Sequence, residues 1–208
     1  GLVRPLGDAY KFLGDEQRGG EFEFVHDRIQ QSAYGLIPAA ERPRRHLELG
    51  RILLAGAARP PGDAALFAIA GHFTHASALV QDPGERRTVA TIDLDAGRRA
   101  KVSTAYHSAC SYLAAGRSLL PPDPWTREYT LTASLHRESI ECEYLAGHPE
   151  RALALFAPFL AHARTTLEKA ELHALRATLE TNRGDLQAAE DSLDQASALY
   201  IAELGEQH

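Results

Sequence analysis

Three adjacent residues near the start of the sequence, His26, Asp27 and Arg28, place a base, an acid and a cation side by side. Protein kinases use the same residue types, in another order, in their catalytic loop. A kinase also needs a glycine-rich strand, a buried lysine and an Asp-Phe-Gly metal ligand, and the sequence shows none of these. We therefore interpret the three residues as polar groups that cap and anchor a helix over residues 27–36, with Asp27 near its positive end.

Histidine and cysteine are the other residue types that could carry chemistry. His72 and His75 lie three apart, a helical spacing at which two imidazoles can share a metal ion. Spacing fixes no third or fourth ligand beside them, so we expect no metal site and no cofactor. Cys110 and Cys142 lie beside apolar residues and are expected to be small buried thiols. We expect no catalytic residue; a small helical enzyme built on His72 and His75 is the least favoured alternative.

Composition and charge exclude several classes of protein. The chain has 208 residues, of which 44% are hydrophobic and 24% charged, which is typical of a globular protein. It has no apolar run long enough for a membrane-spanning helix and no secretory signal, and with two cysteines we expect a cytoplasmic protein. The net charge of −6 argues against a nucleic-acid partner. Because it has no methionine and opens at Gly1, we expect it to be a piece of something longer.

Apolar spacing and breaker residues predict a helical chain from residue 26 onward. Breaks rich in proline, glycine and polar residues separate the helices at 59–63, 81–85, 121–124, 147–149 and 182–185.

Several breaks also carry helix-start residues. The Asp-Pro pairs at residues 82–83 and 123–124 predict N-caps, 165–168 fits a capping box, and Gly184 is expected to end one helix before Asp185 starts the next.

Two helices stand out in this pattern. The predicted helix over residues 125–146 is apolar on two sides, which indicates neighbours on both sides. One side carries Leu131, Leu135, Cys142 and Leu145, and the other carries Tyr129, Ala133, Ile140 and Tyr144. The last helix is expected to pack through one stripe, made of Leu186, Ala189, Leu193, Ala196, Tyr200 and Leu204.

The N-terminal residues have a different pattern. Aromatic side chains lie two apart in residues 9–13 and again in 21–25, the period at which strand side chains share a face. The polar, glycine-rich residues 14–20 between them suit a turn. The sequence therefore predicts a short N-terminal β-hairpin.

A degenerate repeat runs through the helical part. In three segments a small residue precedes a large apolar one by one helical turn: Ala109 and Leu113, Ala152 and Phe156, Ala189 and Leu193. An alanine at such a position lets a paired helix approach closely. The pattern resembles the tetratricopeptide repeat (TPR), which implies an all-α fold of TPR-like antiparallel helical hairpins in a right-handed superhelix. An irregular helical bundle is the alternative.

A second resemblance is carried by FVHDRIQQSAYGLIP at residues 24–38, AKVSTAY at 100–106, YLAAG at 112–116 and ECEYLAG at 141–147. These segments resemble large bacterial multidomain signalling proteins that combine a serine/threonine kinase, a STAND/AAA-type ATPase module, a TPR-like region, and often GAF and histidine-kinase domains. The resemblance implies two domains: residues 1–37 as the end of the ATPase module's winged helix, and residues 38–208 as the TPR-like region. The sequence has no phosphate loop, kinase motif or histidine-kinase box, so none of the family's catalytic activities is carried over.

If the TPR register holds, the first helix of each pair lines a concave groove. That register predicts a partner-binding groove formed by Arg98, Lys101, Arg137, Tyr144 and Asn182. A cationic groove suits an acidic peptide or a C-terminal carboxylate. The alternative is that these side chains pair with Glu138 or Glu141 and bind no partner.

The sequence thus predicts a non-catalytic interaction and regulatory segment of a bacterial signal-transduction ATPase or kinase. Its expected partner is a protein or peptide, or a sister domain of the parent chain, with a homo-oligomer as a further possibility and neither nucleic acid nor membrane as a ligand. The alternative function is the helical sensor region of a winged-helix transcription regulator.

Overall fold

The computed structural model describes residues 3–5, 22–58 and 60–206. The chain divides into two compact units, residues 1–45 and 46–208, which are described separately below. The described residues form two short strands and ten α-helices, so the prediction of a helical protein is confirmed.

The first unit contains both strands. Strand β1 (Val3–Pro5) pairs antiparallel with β2 (Phe22–Phe24), and Val3 lies opposite Phe24. Strand β2 falls within the predicted strand 21–25, whereas the predicted strand 9–13 and turn 14–20 lie outside the described residues.

Helix α1 (Asp27–Gly35) follows β2 and matches the predicted helix 27–36. Asp27 lies in its first turn, and the His26 side chain makes no capping hydrogen bond. Beyond α1, the Arg42 guanidinium stacks over the Tyr34 ring at 4.8 Å and its Nε donates to the carbonyl of Ile37. Together these contacts hold the end of α1 and the segment that follows it.

The helices from α2 onward follow the predicted breaks closely. They are α2 (Arg42–Gly56), which contains the boundary between the units, α3 (Asp63–Ala76), α4 (Pro83–Val102), α5 (Tyr106–Ser118), α6 (Pro124–Arg127), α7 (Tyr129–Leu145), α8 (Pro149–His162), α9 (Thr166–Arg183) and α10 (Leu186–Glu206).

Capping chemistry explains several of these boundaries. The Asp82 side chain accepts a hydrogen bond from the backbone N–H of Glu85 at 2.8 Å, and Thr165 accepts one from Glu168 at 3.0 Å. Both caps satisfy a backbone donor that the first helical turn leaves unpaired. Gly184 ends α9 in the left-handed conformation at φ +82°, which a residue with a Cβ adopts only at a cost. These three predicted signals are confirmed.

The predicted cap at Asp123 and the single helix over 125–146 are wrong. Asp123 adopts φ +57° and makes no capping hydrogen bond, and the non-helical backbone of Glu128 separates the short α6 from α7. The break accompanies the burial of the Trp125 ring, which stacks on Phe159 of α8 at a centroid distance of 5.4 Å. Burial of a large aromatic side chain outweighs a few helical hydrogen bonds at a surface turn.

Helix α7 lies between two hydrophobic clusters. On one side Leu131, Leu135 and Cys142 pack with residues of α4 and α5. On the other side the buried Ile140 packs with residues of α8 and α9. The partly buried α7 residues Tyr129, Ala133 and Tyr144 belong to the same cluster. The predicted two-sided helix is confirmed in both faces, except that Leu145 is largely exposed.

Consecutive helices of the second unit pack on one another, from α3 against α4 through to α9 against α10. Connections of two to three residues join α4 to α5, α7 to α8 and α9 to α10, so the members of each pair run antiparallel. Ala109, Ala152 and Ala189 are buried, as the repeat predicts.

The predicted stripe of α10 is wrong for its large side chains. Ala189, Ser192 and Ala196 are buried, but Leu193 is 51% exposed, and Leu186, Tyr200 and Leu204 are exposed as well. The helix packs against α9 through small residues, which allow close approach and turn the bulky side chains to the adjoining face. The third Ala–Leu pair therefore contributes only its alanine to the core.

We expect Gly97→Ala to lower the free energy of unfolding by about 1–3 kcal/mol, the usual cost of overpacking a core. A Cβ at Gly97 would lie 2.6 Å from Cγ of Leu113, which is itself fully buried between α4 and α5. Urea denaturation followed by circular dichroism measures the change.

The matched control is Gly71→Ala in the interior of α3, where an added Cβ meets no atom within 4 Å. Loss of backbone freedom in the unfolded chain should make this variant more stable by about 0.5–1 kcal/mol. Equal effects of the two substitutions would contradict the close approach of α4 and α5.

Candidate functional site

The predicted groove residues Arg98 and Lys101 form an ion-pair network between α4 and α7. Arg98 Nε lies 2.8 Å from Glu138 Oε1, and Lys101 Nζ lies 2.5 Å from Glu138 Oε2 and 2.7 Å from Glu141 Oε2. Burial acts to lower the pKa of Lys101, but its hydrogen bonds to the two carboxylates outweigh burial and raise that pKa above its usual value. Burial likewise acts to raise the pKa of Glu138, and the two cations bring it below the usual range. Both cations thus make the pairings that the alternative interpretation named.

The other three predicted groove residues have separate surroundings. Arg137 pairs with Glu171 of α9 at 2.9 Å. The half-buried Tyr144 packs against the cluster shared with α8 and α9, and Asn182 is exposed near the end of α9. The structure brings Arg98 and Lys101 together through Glu138. The proposed joint groove of five residues stays a prediction.

A different set of cations lines a cleft of about 530 Å³ formed by α4, α6, α7 and the turn before α9. We call it the arginine cleft, after the side chains of Arg87, Arg98, Arg127 and Arg164. Glu128 is the one acidic residue among its lining residues, all of which belong to the described second unit. The cleft therefore carries an excess of positive charge on a chain whose net charge is −6.

Three of the four arginines are held in place. Arg87 pairs with Glu128 at 3.1 Å, and Arg98 pairs with Glu138 outside the cleft lining. Arg164 donates to the carbonyl of Trp125 at 3.1 Å and stacks its guanidinium 3.8 Å from the centre of the Tyr129 ring. Each of these contacts leaves further N–H donors of its guanidinium group available.

Tyr129 anchors one wall of the cleft. Its hydroxyl donates to a carboxylate oxygen of Glu168 and accepts from the backbone N–H of Arg164. Burial, and next the hydrogen bond to Glu168, raise the pKa of Tyr129 to about 12, so the phenol keeps its proton at neutral pH. The side chain acts as a fixed donor and as a platform for Arg164.

Sequence reasoning missed the arginine cleft except for Arg98. Its arginines come from four separate stretches of sequence, and no local spacing connects residue 87 to residue 164. Its one sequence signal is the excess of arginine over lysine, which does not indicate where the arginines meet.

The two spaced histidines gain a third neighbour that spacing did not reveal. His46 of α2 places its Nδ1 2.9 Å from Nδ1 of His72, and its ring centre lies 4.7 Å from that of His75. Burial, followed by the nearby His75 and His72, lowers the pKa of His46, and burial and His75 lower that of His72. No group of three or more His, Cys, Asp or Glu side chains in the described ranges is arranged to hold a metal ion. Because their pKa values are lowered, His46 and His72 meet as uncharged imidazoles at neutral pH, and their contact links α2 to α3.

Cys142 is buried, as the sequence predicts, whereas Cys110 is only half-buried. Burial raises the pKa of Cys142 to about 12 and, together with the nearby Glu143, that of Cys110 to about 11. Both side chains are therefore thiols rather than nucleophilic thiolates at neutral pH.

A buried acid on α4 was also missed. Asp93 is fully buried, and neither carboxyl oxygen has a hydrogen-bond partner among the described residues. Burial raises its pKa from the ordinary 3.8 to about 8, so at neutral pH the side chain is largely protonated. A signal existed in the sequence, because residue 93 lies one helical turn from the apolar Val89 and Ala90 and from Gly97.

Comparisons with known proteins place the chain in a signalling context. No protein-family model and no solved structure matches it. It is 24% identical, over 179 residues, to the hybrid signal transduction histidine kinase G of Dictyostelium discoideum. The match covers 74% of this chain and 5% of that protein, so the chain corresponds to a small part of its relative. Among the described helices, none has the length and apolarity required to cross a membrane.

We expect the stability of the protein to fall by about 2–5 kcal/mol between about pH 5 and about pH 9 because of Asp93. The unfolded chain loses this proton near pH 3.8, whereas the folded chain holds it up to about pH 8. Over that range the folded state binds more protons than the unfolded state, so stability decreases as pH rises. Asp93→Asn should remove this part of the pH dependence.

The exposed Asp95 of the same helix provides the control, since Asp95→Asn should leave the pH profile of the wild type unchanged. Urea denaturation at a series of pH values measures both variants. A wild-type profile that stays level or rises over this range, and that Asp93→Asn does not alter, would refute the assignment.

Proposed function

We propose that this chain is a non-catalytic protein-interaction and regulatory segment of a larger signalling ATPase or kinase. The observation that carries the proposal is the position of α7 between two hydrophobic clusters. Helices packed in this way on both sides build a layered array whose outer faces remain available to partners. The similarity to part of a hybrid signal transduction histidine kinase supports the signalling context.

Within this proposal the second unit is a TPR-like array. Its pairs are α4 with α5, α7 with α8, and α9 with α10, and each pair has a buried alanine near the start of its second helix. The first helices of adjacent pairs also meet, since α4 packs against α7. This layout supports the right-handed superhelix that the resemblance implies.

The chemistry of the titratable groups favours a structural role over a catalytic one. Lys101 is held as a cation by two carboxylates, and the cysteines are held as protonated thiols. Catalytic bases and nucleophiles need pKa values shifted in the opposite directions. We therefore propose that the segment acts by binding, without a cofactor, in the cytoplasm of a bacterium.

The outer face of α10 supports a protein partner or a sister domain. Leu186, Leu193, Ile201 and Leu204 are between 51% and 70% exposed on this one helix. Exposed apolar patches of this kind mark protein contact surfaces. The helix carries five acidic residues and no basic one, so two copies of it would repel each other. A partner other than a second copy of α10 is therefore proposed.

The proposal predicts that Leu193→Glu on α10 changes the ATPase or kinase activity of the longer signalling protein by at least about fivefold, the lower range of allosteric coupling. The added charge would prevent burial of this face against a partner or sister domain. Steady-state phosphate release and autophosphorylation measure the effect, with circular dichroism to check folding.

Gln195→Glu is the matched control, because residue 195 is exposed on the same helix and the substitution adds the same charge. A photoreactive residue placed at position 193 should cross-link to a partner or a sister domain, and one placed at 195 should not. The proposal fails if deletion of residues 83–208 leaves the activity unchanged and position 193 yields no cross-link.

A further inference from the structure

We propose that the arginine cleft is a binding site for a phosphoryl group carried by a side chain of a partner peptide. This inference rests on the proposed function, because it names the ligand class of an interaction segment. Its site is separate from the apolar face of α10 and draws on different residues.

The arginine cleft carries an excess of positive charge. Four guanidinium groups line it, and Glu128 is its one carboxylate. The exposed Arg127 side chain has no hydrogen-bond or ion-pair partner within the described residues. For Arg164, none of the described carboxylates pairs with its guanidinium, which instead contacts a carbonyl and an aromatic ring. An anionic ligand would supply the missing charge partner for both residues.

The arginine cleft also contains uncharged hydrogen-bond donors. The hydroxyl groups of Thr126, Thr130 and Ser134 line the same cleft, and none has a hydrogen-bond partner in the described part of the chain. A phosphoryl group carries a charge of about −1.5 to −2 at neutral pH and three strong acceptor oxygens. A cleft rich in donors and poor in acceptors complements that group better than it complements a single carboxylate.

Three arginines of the cleft make contacts within the protein before any ligand binds. Arg87, Arg98 and Arg164 are already held by Glu128, by Glu138 and by the Tyr129 ring with the Trp125 carbonyl. Side chains fixed in this way lose little conformational entropy when a ligand binds. Arginine also bonds phosphate oxygens in bidentate fashion, which the point charge of lysine does not.

The shape of the site favours a modified peptide over a nucleic acid. A volume of about 530 Å³ accommodates one or two side chains, whereas a nucleic-acid strand needs an extended basic track. One face of the Tyr129 ring is covered by Arg164 and is not free to stack on a base. The net charge of −6 further opposes long-range attraction of a polyanion.

The test is fluorescence anisotropy of the full chain with short Gly/Ser/Ala peptides that carry phosphoserine, serine or glutamate at one central position. We expect the phosphoserine peptide to bind at least about tenfold more tightly than the other two, the value of one charge-assisted hydrogen bond. Arg127→Gln should weaken it by about tenfold, and inorganic phosphate should compete. Because the exposed Arg127 side chain makes no hydrogen bond or ion pair with the described residues, this substitution should leave the fold intact.

Arg151→Gln on α8 is the matched control, since Arg151 is exposed and does not line the cleft. Thr130→Val removes a donor without changing the net charge, and should weaken phosphoserine binding while leaving the residual glutamate binding unchanged.

Four results would overturn the inference: equal affinity for the glutamate and phosphoserine peptides, equal loss in Arg127→Gln and Arg151→Gln, tighter binding of an oligo-dT strand, or no phosphopeptide binding. If position 193 of α10 still cross-links in that case, only the cleft assignment fails and the proposed function stands.

Discussion

The burial of α7 on both sides is the constraint on which the second unit depends. Its Leu135 and Cys142 complete the core with α4 and α5, and its Ile140 completes the core with α8 and α9. A helix with one apolar face ends a layer, whereas a helix with two apolar faces forces a layer on each side. The break at Glu128 serves the same packing, because it places the Trp125 ring in the second of these cores. Helix α7 thereby connects the core formed with α4 and α5 to the core formed with α8 and α9.

Electrostatics divides the α4–α7 surface into two parts. Lys101 and Arg98 share the half-buried Glu138, and such partly desolvated pairs hold the two helices in register. Around the adjoining cleft, the guanidinium groups of Arg127 and Arg164 have no carboxylate partner among the described residues, so positive charge accumulates there. Asp93, sealed between α4 and α5, keeps its proton and so avoids the cost of a buried charge. Cations at the contact of α4 with α7 are paired with carboxylates, whereas the guanidinium groups of Arg127 and Arg164 are not paired with any described carboxylate.

The second unit presents two surfaces of different chemistry. The face of α10 combines apolar side chains with acidic ones and suits a broad protein contact, whereas the arginine cleft is small, polar and cationic. As proposed contact sites, the two surfaces would recognise different chemistry and would engage different groups of one partner or of two. Under the proposed function, neighbouring domains of a longer signalling protein would supply the chemistry.

Local signals in the sequence determined the helices, because caps, breakers and apolar spacing act within one or two turns. Asp82, Thr165 and Gly184 marked helix ends, and the spacing of residues 131–144 revealed both faces of α7. Tertiary structure alone decided which distant residues meet. The sequence named Glu138 as one possible partner of Arg98, and the packing of α4 on α7 decided that this pair forms. The approach of His46 to His72 and the meeting of Arg87 and Arg164 in one cleft both depend on how the helices rotate against one another. That rotation is set by the summed packing of the interfaces, including small residues such as Gly97 and Gly116, and no single stretch of sequence encodes it.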